Sequence, residues 1–337
     1  MSYSQVPIKD IAVIIVNYRL AESSINAVES ALASDLGGRR LTVHLVDNAS
    51  PGDDAAVLSA AWRERSWGPT VTLHLENYNH GFGRGNNVVL HKLVALSEPP
   101  DAVFLLNPDA TVRPDALRLL AAALEGEPCA AVAGCRTENP SGAPLSAAFR
   151  FPSLASEFSR AVCFGPISRL FARAEVPLSP DHPGGFVDWV AGAAMMARLP
   201  ALAEVNFFDP AYFLYHEEVD LMLRLRRRGW RVLYVPQAGA VHMEGASTGV
   251  RTSDGVRRRR PGYWYDSWRI YFTHNHGRTY ALACALVVCL GAILNQVISS
   301  ARMRPPARPI NFFGDFWRHV VRPLLPPNAA DRPETSR

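Results

Sequence analysis

Short β-branched apolar runs, separated by amphipathic stretches, dominate the first third of the chain. Residues 11–16 (IAVIIV) are uninterrupted and rich in Val and Ile, which predicts a strand buried on both faces. Residues 41–46 (LTVHLV), 71–75 and 102–106 (AVFLL) repeat the signature. Between these runs, residues 21–33 carry apolar positions at helical spacing. Residues 53–62 predict a helix with Asp53 or Asp54 near its cap, and residues 114–124 open on Pro114, suited to a first helical turn. A Gly-rich segment at 80–87 leads into a further helix reaching Leu96. Strand and helix alternate four times, the order of a doubly wound α/β sheet with right-handed crossovers. Ligands of such sheets sit beyond the carboxyl ends of the strands. Asp47-Asn48 and Asn107-Pro108-Asp109 both stand at such ends.

Residues 136–185 are Pro- and Ser-rich with weak periodicity and predict a long, partly irregular connection. Order returns over 186–196, 208–228 and a strand at 231–235, and no internal repeat is present. Residues 250–260 read as a basic, mobile loop, and the Pro- and Arg-rich end, 305–337, is expected to fray past Pro326. The longest apolar run is 280–301, weakened in its last third by Asn295 and Gln296. Its length suits a membrane span, an interfacial helix or a buried helix. Arg257 to Arg260 precede it, and Tyr263, Trp264, Tyr265, Trp268, Tyr271 and Phe272 crowd ten residues, like an interfacial aromatic belt. These flanks favour membrane contact. The N-terminus is polar and shows no signal-peptide pattern, so the expected location is the cytosol or a cytosolic membrane face.

Composition narrows the class. A hydrophobic fraction of 48% and a charged fraction of 20% exclude wholesale disorder, collagen and coiled-coil architecture. The five cysteines have no metal-ligand spacing, which argues against a disulfide scaffold or zinc ribbon. The net charge of +4 conceals an asymmetry. Residues 1–220 hold 16 Lys and Arg against 25 acidic residues, net −9; residues 221–337 hold 19 Arg against 6, net +13. The C-terminal part is therefore expected to meet an anionic partner.

Four groups of residues carry candidate chemistry. Asp109, at a strand end, suits Mg²⁺ or Mn²⁺, which prefer oxygen ligands and a substrate phosphate, with His242 as a second ligand; a turn or capping role is the alternative. Glu217, Glu218 and Asp220 crowd three carboxylates into four residues. One reading is a general base for a substrate hydroxyl; the other is an ordinary i,i+4 pair between Asp220 and Arg224. The loop Gly81-Phe82-Gly83-Arg84-Gly85-Asn86-Asn87 suits a phosphate at a helix start, or a plain turn. Trp189, Gly192 and Ala193 suit the floor of a sugar or acceptor pocket, or close packing, and Asp220 is grouped with that pocket.

In order along the chain, IIVNY, VDNAS, N-x-GFGRGNN, LLNPDA, VDWVAGAAMM, FDPAYFLYHEEVDLMLRLRRRGW and VHMEGAST resemble the family 2 glycosyltransferases with the GT-A fold, above all a bacterial rhamnosyltransferase-like branch. The resemblance implies a Rossmann-like mixed sheet flanked by helices over residues 1–250, followed by a membrane-associating helical tail over 251–337. It implies an inverting, single-displacement transferase that uses Mg²⁺ or Mn²⁺. Asn17 and Tyr18 would lie near the nucleotide base, and Asp47 with Asn48 would bind base and ribose. Asn79, Gly81 and Asn87 would line the nucleotide pocket. Asp109 would be the remaining metal-binding member of the family's D-x-D motif, with Asn107 at its first position on the donor side, and His242 the later ligand. The family's Glu-Asp pair stands here as Glu217-Glu218, which makes Glu218 the base and leaves Glu217 as its rival.

The expected donor is dTDP-rhamnose, with UDP-galactose and UDP-glucose as alternatives. The expected acceptor is a glycan or polyprenyl-diphosphate-linked sugar in envelope polysaccharide synthesis. The tail would meet an anionic surface at the cytoplasmic face of a bacterial inner membrane, as a peripheral or monotopic attachment. A nucleotidyltransferase would carry a glycine-rich basic loop where Asn17-Tyr18-Arg19 stands. A nucleic-acid-binding or membrane-adaptor protein would be the non-enzymatic reading, but the arginines lack a nucleic-acid motif, so no nucleic-acid partner is expected.

Overall fold

The structure is a computed structural model that describes residues 6–243 and 257–326. Residues 244–248 of the last quoted motif, most of the basic loop at 250–260, and the end beyond Pro326 lie outside the described residues. The chain forms two compact units. The first comprises Met1–Phe151 and Val176–Ser253, the second Pro152–Glu175 and Asp254–Arg337.

The first unit is built on a mixed sheet. Its strands are β1 (Asp10–Asn17), β2 (Arg40–Asp47), β3 (Val71–Leu75), β4 (Ala102–Leu106), β5 (Ala110–Val112) and β6 (Ala130–Glu138), followed by the short β7 (Pro144–Leu145) and β8 (Ala148–Phe149). Then come β9 (Gly185–Val187), β10 (Trp189–Val190), β11 (Ala194–Arg198) and β12 (Arg231–His242). The main order is β3-β2-β1-β4-β11-β6-β12-β5. The first four strands are parallel, as the alternating pattern predicts. β11 then enters antiparallel between β4 and β6, which makes the sheet mixed. The helices of this unit are α1 (Ala21–Leu32), α2 (Asp54–Glu64), α3 (Gly81–Val94) and α4 (Ala116–Gly126).

Burial explains the runs. β4 is buried throughout, and β1 is buried from Ile11 onward. Ile25, Val28, Leu58, Leu117 and Leu120 bring α1, α2 and α4 onto the same core. Each fully buried Val, Leu or Ile contributes on the order of 1.5–3 kcal/mol relative to exposure.

Two strand features position the site. β11 pairs Ala194 with Leu106, so the residues just before it arrive beside the end of β4. β12 slips register between Val235 and Gly239, and Pro236, which has no N–H to donate, falls inside that irregularity. Beyond it the strand also pairs with β5, setting His242 opposite Ala110.

The second unit contains α5 (Leu154–Val162) and α6 (Gly165–Leu170), both inside the stretch expected to be a partly irregular connection. The serines that suggested a loop are helix-forming devices here. Ser153 and Ser156 form a reciprocal capping box, and Ser156 and Ser159 are buried. After α7 (Leu199–Glu204) and α8 (Glu217–Arg227) in the first unit, the second resumes with α9 (Gly262–Ala301) and α10 (Phe312–Phe316). Gly277, at φ 83° and ψ 164°, interrupts α9.

The aromatic cluster before Gly277 is not an interfacial belt. Tyr265, Trp268, Tyr271 and Phe272 are at most 1% exposed and form a core with Phe316. Trp268 donates from Nε1 to Glu157 on α5 at 2.7 Å. The run of four arginines is likewise engaged within its own unit. Arg257 donates to the carbonyls of Arg308 and Pro309, Arg259 forms a two-pronged pair with Asp315, and Arg260 lies 4.0 Å over the Trp264 ring. Arg257 and Arg259 tie the segment after α9 back to the stretch before it, and Arg260 packs on the first turn of α9.

Gly134, in the middle of β6, faces Val190, whose Cβ lies 2.5 Å from where an added methyl would sit. Gly134→Ala is expected to destabilise the first unit by about 1–3 kcal/mol through overpacking, measured as a shift of the urea midpoint at unchanged slope.

Candidate active site

Three asparagines fasten the loops at the carboxyl ends of the parallel strands. Asn17, fully buried at the end of β1, donates from Nδ2 to Asp47 at 2.8 Å and to Ser50 Oγ and Asp54 Oδ1 at 3.1 Å. Its Oδ1 accepts from the Leu20 amide and the Ser24 hydroxyl. The side chain therefore organises the pocket from beneath, while the half-buried Tyr18 follows it toward the surface. Asp54 does not cap its own helix through its side chain; it accepts from Asn17 and from the Ala21 amide.

Asn48, at the end of β2, accepts from the His80 amide at 2.9 Å and donates to Asn79 Oδ1 and the Gly81 carbonyl at 3.0 Å. Asn79 Oδ1 also accepts from the Gly81 amide. Gly81 has φ 75°, and an added Cβ would lie 1.8 Å from the Phe213 carbonyl oxygen. A glycine is required here by close approach of backbone to backbone. The Phe82 amide donates to that same Phe213 carbonyl at 3.1 Å. Asn87 uses both ends of its amide on the Phe208 backbone, at 2.8 and 3.1 Å. Asn48, Asn79 and Asn87 thus shape the cleft through the chain they hold.

At the ends of β4 and β12, Asp109 Oδ1 lies 3.2 Å from His242 Nε2. Asn107 Nδ2 is 3.4 Å from the same nitrogen, and the Met243 amide donates to the Asp109 carbonyl at 3.0 Å. One carboxylate oxygen and one imidazole nitrogen, converging and mostly buried, fit a divalent cation. Among the described residues no cluster of three or more His, Cys, Asp or Glu side chains forms a metal site. Mg²⁺ and Mn²⁺ complete such a sphere with water and substrate phosphates. The Asn107 amide donates to Ala193 O at 2.8 Å, which joins this pair to the 192–193 segment. Gly192 in turn faces Phe82 and Glu218; an added Cβ would lie 3.4 Å from the Phe82 ring and 3.8 Å from Glu218 Cβ.

Glu217 and Glu218 open α8. Tyr215 and His216, just before them, both adopt left-handed backbone conformations, φ 71° and 66°. Such non-glycine residues cost about 1–3 kcal/mol each and cluster at functional sites. Glu217 is 3% exposed, whereas Glu218 is only partly buried. Oε2 of each is buried without a hydrogen-bond partner among the described residues. Burial, and then the neighbouring Glu218, push the Glu217 carboxyl well above its ordinary range. Burial also raises Glu218, against the lowering effect of backbone N–H groups at the helix start. Glu218 faces Gly192 and is the accessible acid of the two.

Other expected residues serve packing. Trp189 stacks on Phe149 at 3.9 Å and donates to the Arg150 carbonyl, so its ring is covered rather than offered to a ligand. Asp220 is buried and takes the i,i+4 pairing, with Arg224 Nε 2.6 Å from Oδ2. Arg224 also reaches the carbonyls of Val205 and Phe207, fixing the loop that approaches Phe208. Ala193 contributes its carbonyl to Asn107. Phe82, Asp54 and the Phe213 carbonyl are parts of the site that the motifs did not single out. The signal for Asp54 lay in Asn17, a multivalent donor at a strand end that requires acceptors nearby.

The raised Glu217 carboxyl has a stability consequence. Its folded pKa lies above the ordinary 4.5, so the unfolded chain loses that proton first and stability declines as pH rises through the folded value. Glu217→Gln is expected to remove part of this decline. Its melting temperature relative to the parent should be higher at pH 8 than at pH 5, read by thermal unfolding in matched buffers.

With this geometry in hand, the relatives are informative. Residues 7–265 match the sequence profile described as "Glycosyltransferase like family 2". Over 222 residues the chain is 32% identical to the N-acetylglucosaminyl-diphospho-decaprenol L-rhamnosyltransferase of Mycobacterium tuberculosis, covering 63% of this chain and 69% of that one. Among solved structures, GalNAc-T7 with UDP, GalNAc and Mn²⁺ aligns at a TM-score of 0.60 and 12% identity, over 94% of this chain and 57% of that one. The mannosyltransferase of Pyrobaculum calidifontis with GDP-Man and Mn²⁺ aligns at 0.53 and 14% identity, over 88% and 76%. At these identities the structural likeness is one of fold. The chain belongs to the family 2 glycosyltransferases and is a glycosyltransferase of the GT-A fold.

Proposed function

We propose that the protein transfers rhamnose from dTDP-rhamnose, with inversion, to a glycan or polyprenyl-diphosphate-linked acceptor in bacterial envelope polysaccharide synthesis. The observation that carries the transferase chemistry is the continuity from Asp109 and His242 through Asn107 and Ala193 to Gly192 and Glu218. It supplies a cation site for a diphosphate and an acid for a hydroxyl within one cleft. The named reaction of the mycobacterial relative supports the choice of sugar and of a lipid-diphosphate acceptor.

In this mechanism Asn17, Asn48 and Asn79 hold the loops that receive the nucleotide. Asp109 and His242 would hold Mg²⁺ or Mn²⁺, which would supply positive charge to offset that developing on the leaving diphosphate. Glu218, as carboxylate, accepts the proton of the acceptor hydroxyl as the new C–O bond forms. Its burial raises its proton affinity toward that needed near neutral pH, and a medium poor in water strengthens its interaction with the incoming group. Gly192 leaves room beside Glu218 for the reacting sugar, so donor and acceptor meet in line. One displacement inverts the anomeric centre, and no covalent sugar–enzyme species is required. The family's acidic base position is filled here by a glutamate one methylene longer than aspartate.

Glu218→Gln is expected to lower kcat by about 10²–10⁴-fold with little change in donor KM, measured by release of nucleoside diphosphate. Full turnover by this variant would remove Glu218 from the role. A thermal-shift panel of dTDP-rhamnose, UDP-glucose and UDP-galactose, with and without Mn²⁺, tests the donor. The expected result is a Mn²⁺-dependent rise with dTDP-rhamnose that Asp109→Ala abolishes; a rise confined to a UDP-hexose would overturn the rhamnose assignment.

A further inference from the structure

Residues 281–294 of α9 are apolar on all sides, yet only part of this surface is covered. Ala281, Cys284, Ala285, Val288, Gly291, Ala292, Asn295 and Ser299 are buried on one face. Leu286, Leu290, Ile293 and Val297, spaced by four, three and four residues, are each more than half exposed on the opposite face. A helix apolar all round is one whose second face also leaves water. We propose that this stripe is the insertion face of a monotopic membrane anchor, and that the helix lies in the plane of an anionic bilayer rather than crossing it. This deepens the lipid-linked reading given above, but it rests on the second unit alone.

The covered face argues against a span. α5 runs beside the helix: Leu154 N donates to Tyr280 OH at 3.3 Å, Gly291 approaches Ala161 and the Phe158 carbonyl, and Asn295 Nδ2 donates to the Val162 carbonyl at 2.9 Å. The nine residues of α5 extend only about 14 Å, less than half of a hydrocarbon core of about 30 Å. In a spanning orientation both ends of α5, with Arg160 and the non-helical backbone at Cys163, would be placed at membrane depth. Such backbone is not tolerated against lipid. Lying flat, the pair keeps α5 on the water side and lowers only the stripe into the headgroup boundary.

Charge selects the partner. The second unit carries 16 arginines against 7 acidic residues, net +9, and residues 267–314 contain no Asp or Glu. Arg278 stands exposed at one end of the stripe and Arg302 and Arg304 at the other. Met303, between the last two, is 95% exposed. A two-fold pairing of stripes between copies would bring like charges together, whereas anionic headgroups are attracted to both ends.

Depth measurement tests the orientation. Leu286→Cys, Leu290→Cys, Ile293→Cys and Val297→Cys, each in a Cys129→Ser/Cys163→Ser/Cys289→Ser background, carry a fluorophore quenched by lipids brominated at known chain positions. On phosphatidylglycerol-containing vesicles, all four sites are expected at one shallow depth. A span would separate positions 286 and 297 by about 16 Å along the bilayer normal and overturn the proposal. Pure phosphatidylcholine vesicles are expected to bind at least tenfold more weakly. The double variant Leu286→Asp/Leu290→Asp, shown folded by circular dichroism, is expected to lose at least tenfold in partitioning. Failure of the parent to bind anionic vesicles, whether it is monomeric or pairs through the stripe, would equally reject the anchor. No sugar transfer enters these readings, so a failed donor assignment and a failed anchor are told apart.

Discussion

The saturated amide of Asn17 is the constraint on which the loops at the carboxyl ends of β1 and β2 depend. A buried asparagine left partly unpaired would cost on the order of 1–3 kcal/mol. Here Asn17 binds acceptors and donors from four chain segments: the end of β2, the following turn, the start of α2 and the first turn of α1. Burial makes these bonds directional and exclusive, since no water is available to replace a missing partner. Asn48 and Asn87 repeat the device, so three strand-end or helix side chains fix loops that the hydrophobic core does not reach. A packed sheet sets where the cleft lies; the amides set its shape.

The balance is different at the acidic end of the cleft. There the protein holds Glu217 and Glu218 side by side, with buried oxygens left without hydrogen-bond partners among the described residues and two strained residues before them. This departs from the rule that buried polar groups find partners, and burial raises the proton affinity of both acids. Neighbouring Asp220 shows the opposite solution, a buried carboxylate compensated by Arg224. The contrast separates a compensated acid from two uncompensated ones within a single helical turn.

Legibility in the sequence followed the range of the physics. β4 was readable to its end residues, because a two-sided buried strand is written in its own side chains. The antiparallel entry of β11 was not, since its partner is set by contacts nearly ninety positions apart in sequence. α5 was hidden because buried serines that cap and bond to backbone have the composition of a loop. The aromatic and arginine clusters were visible, but their composition suits a membrane interface as well as a small core, and only Phe316 and Asp315 decide for the core. Among the site residues, motif order identified Asn17, Asn48 and Asn87 but not their mode of action. A motif specifies position, whereas indirect support through a neighbour's backbone depends on the fold.

The contact between Gly81 and the Phe213 carbonyl carries an evolutionary consequence. The glycine opens α3, while the carbonyl belongs to the segment leading into the Glu pair. Their atoms leave no space for a side chain, so neither segment can be exchanged for one of another shape by itself. Exchanging the loop before α3 alone would displace the segment before α8, and remodelling that segment would unseat the loop. The two segments are therefore inherited as a linked pair, and chimeras that fold must carry residues 79–87 and 208–218 from the same parent.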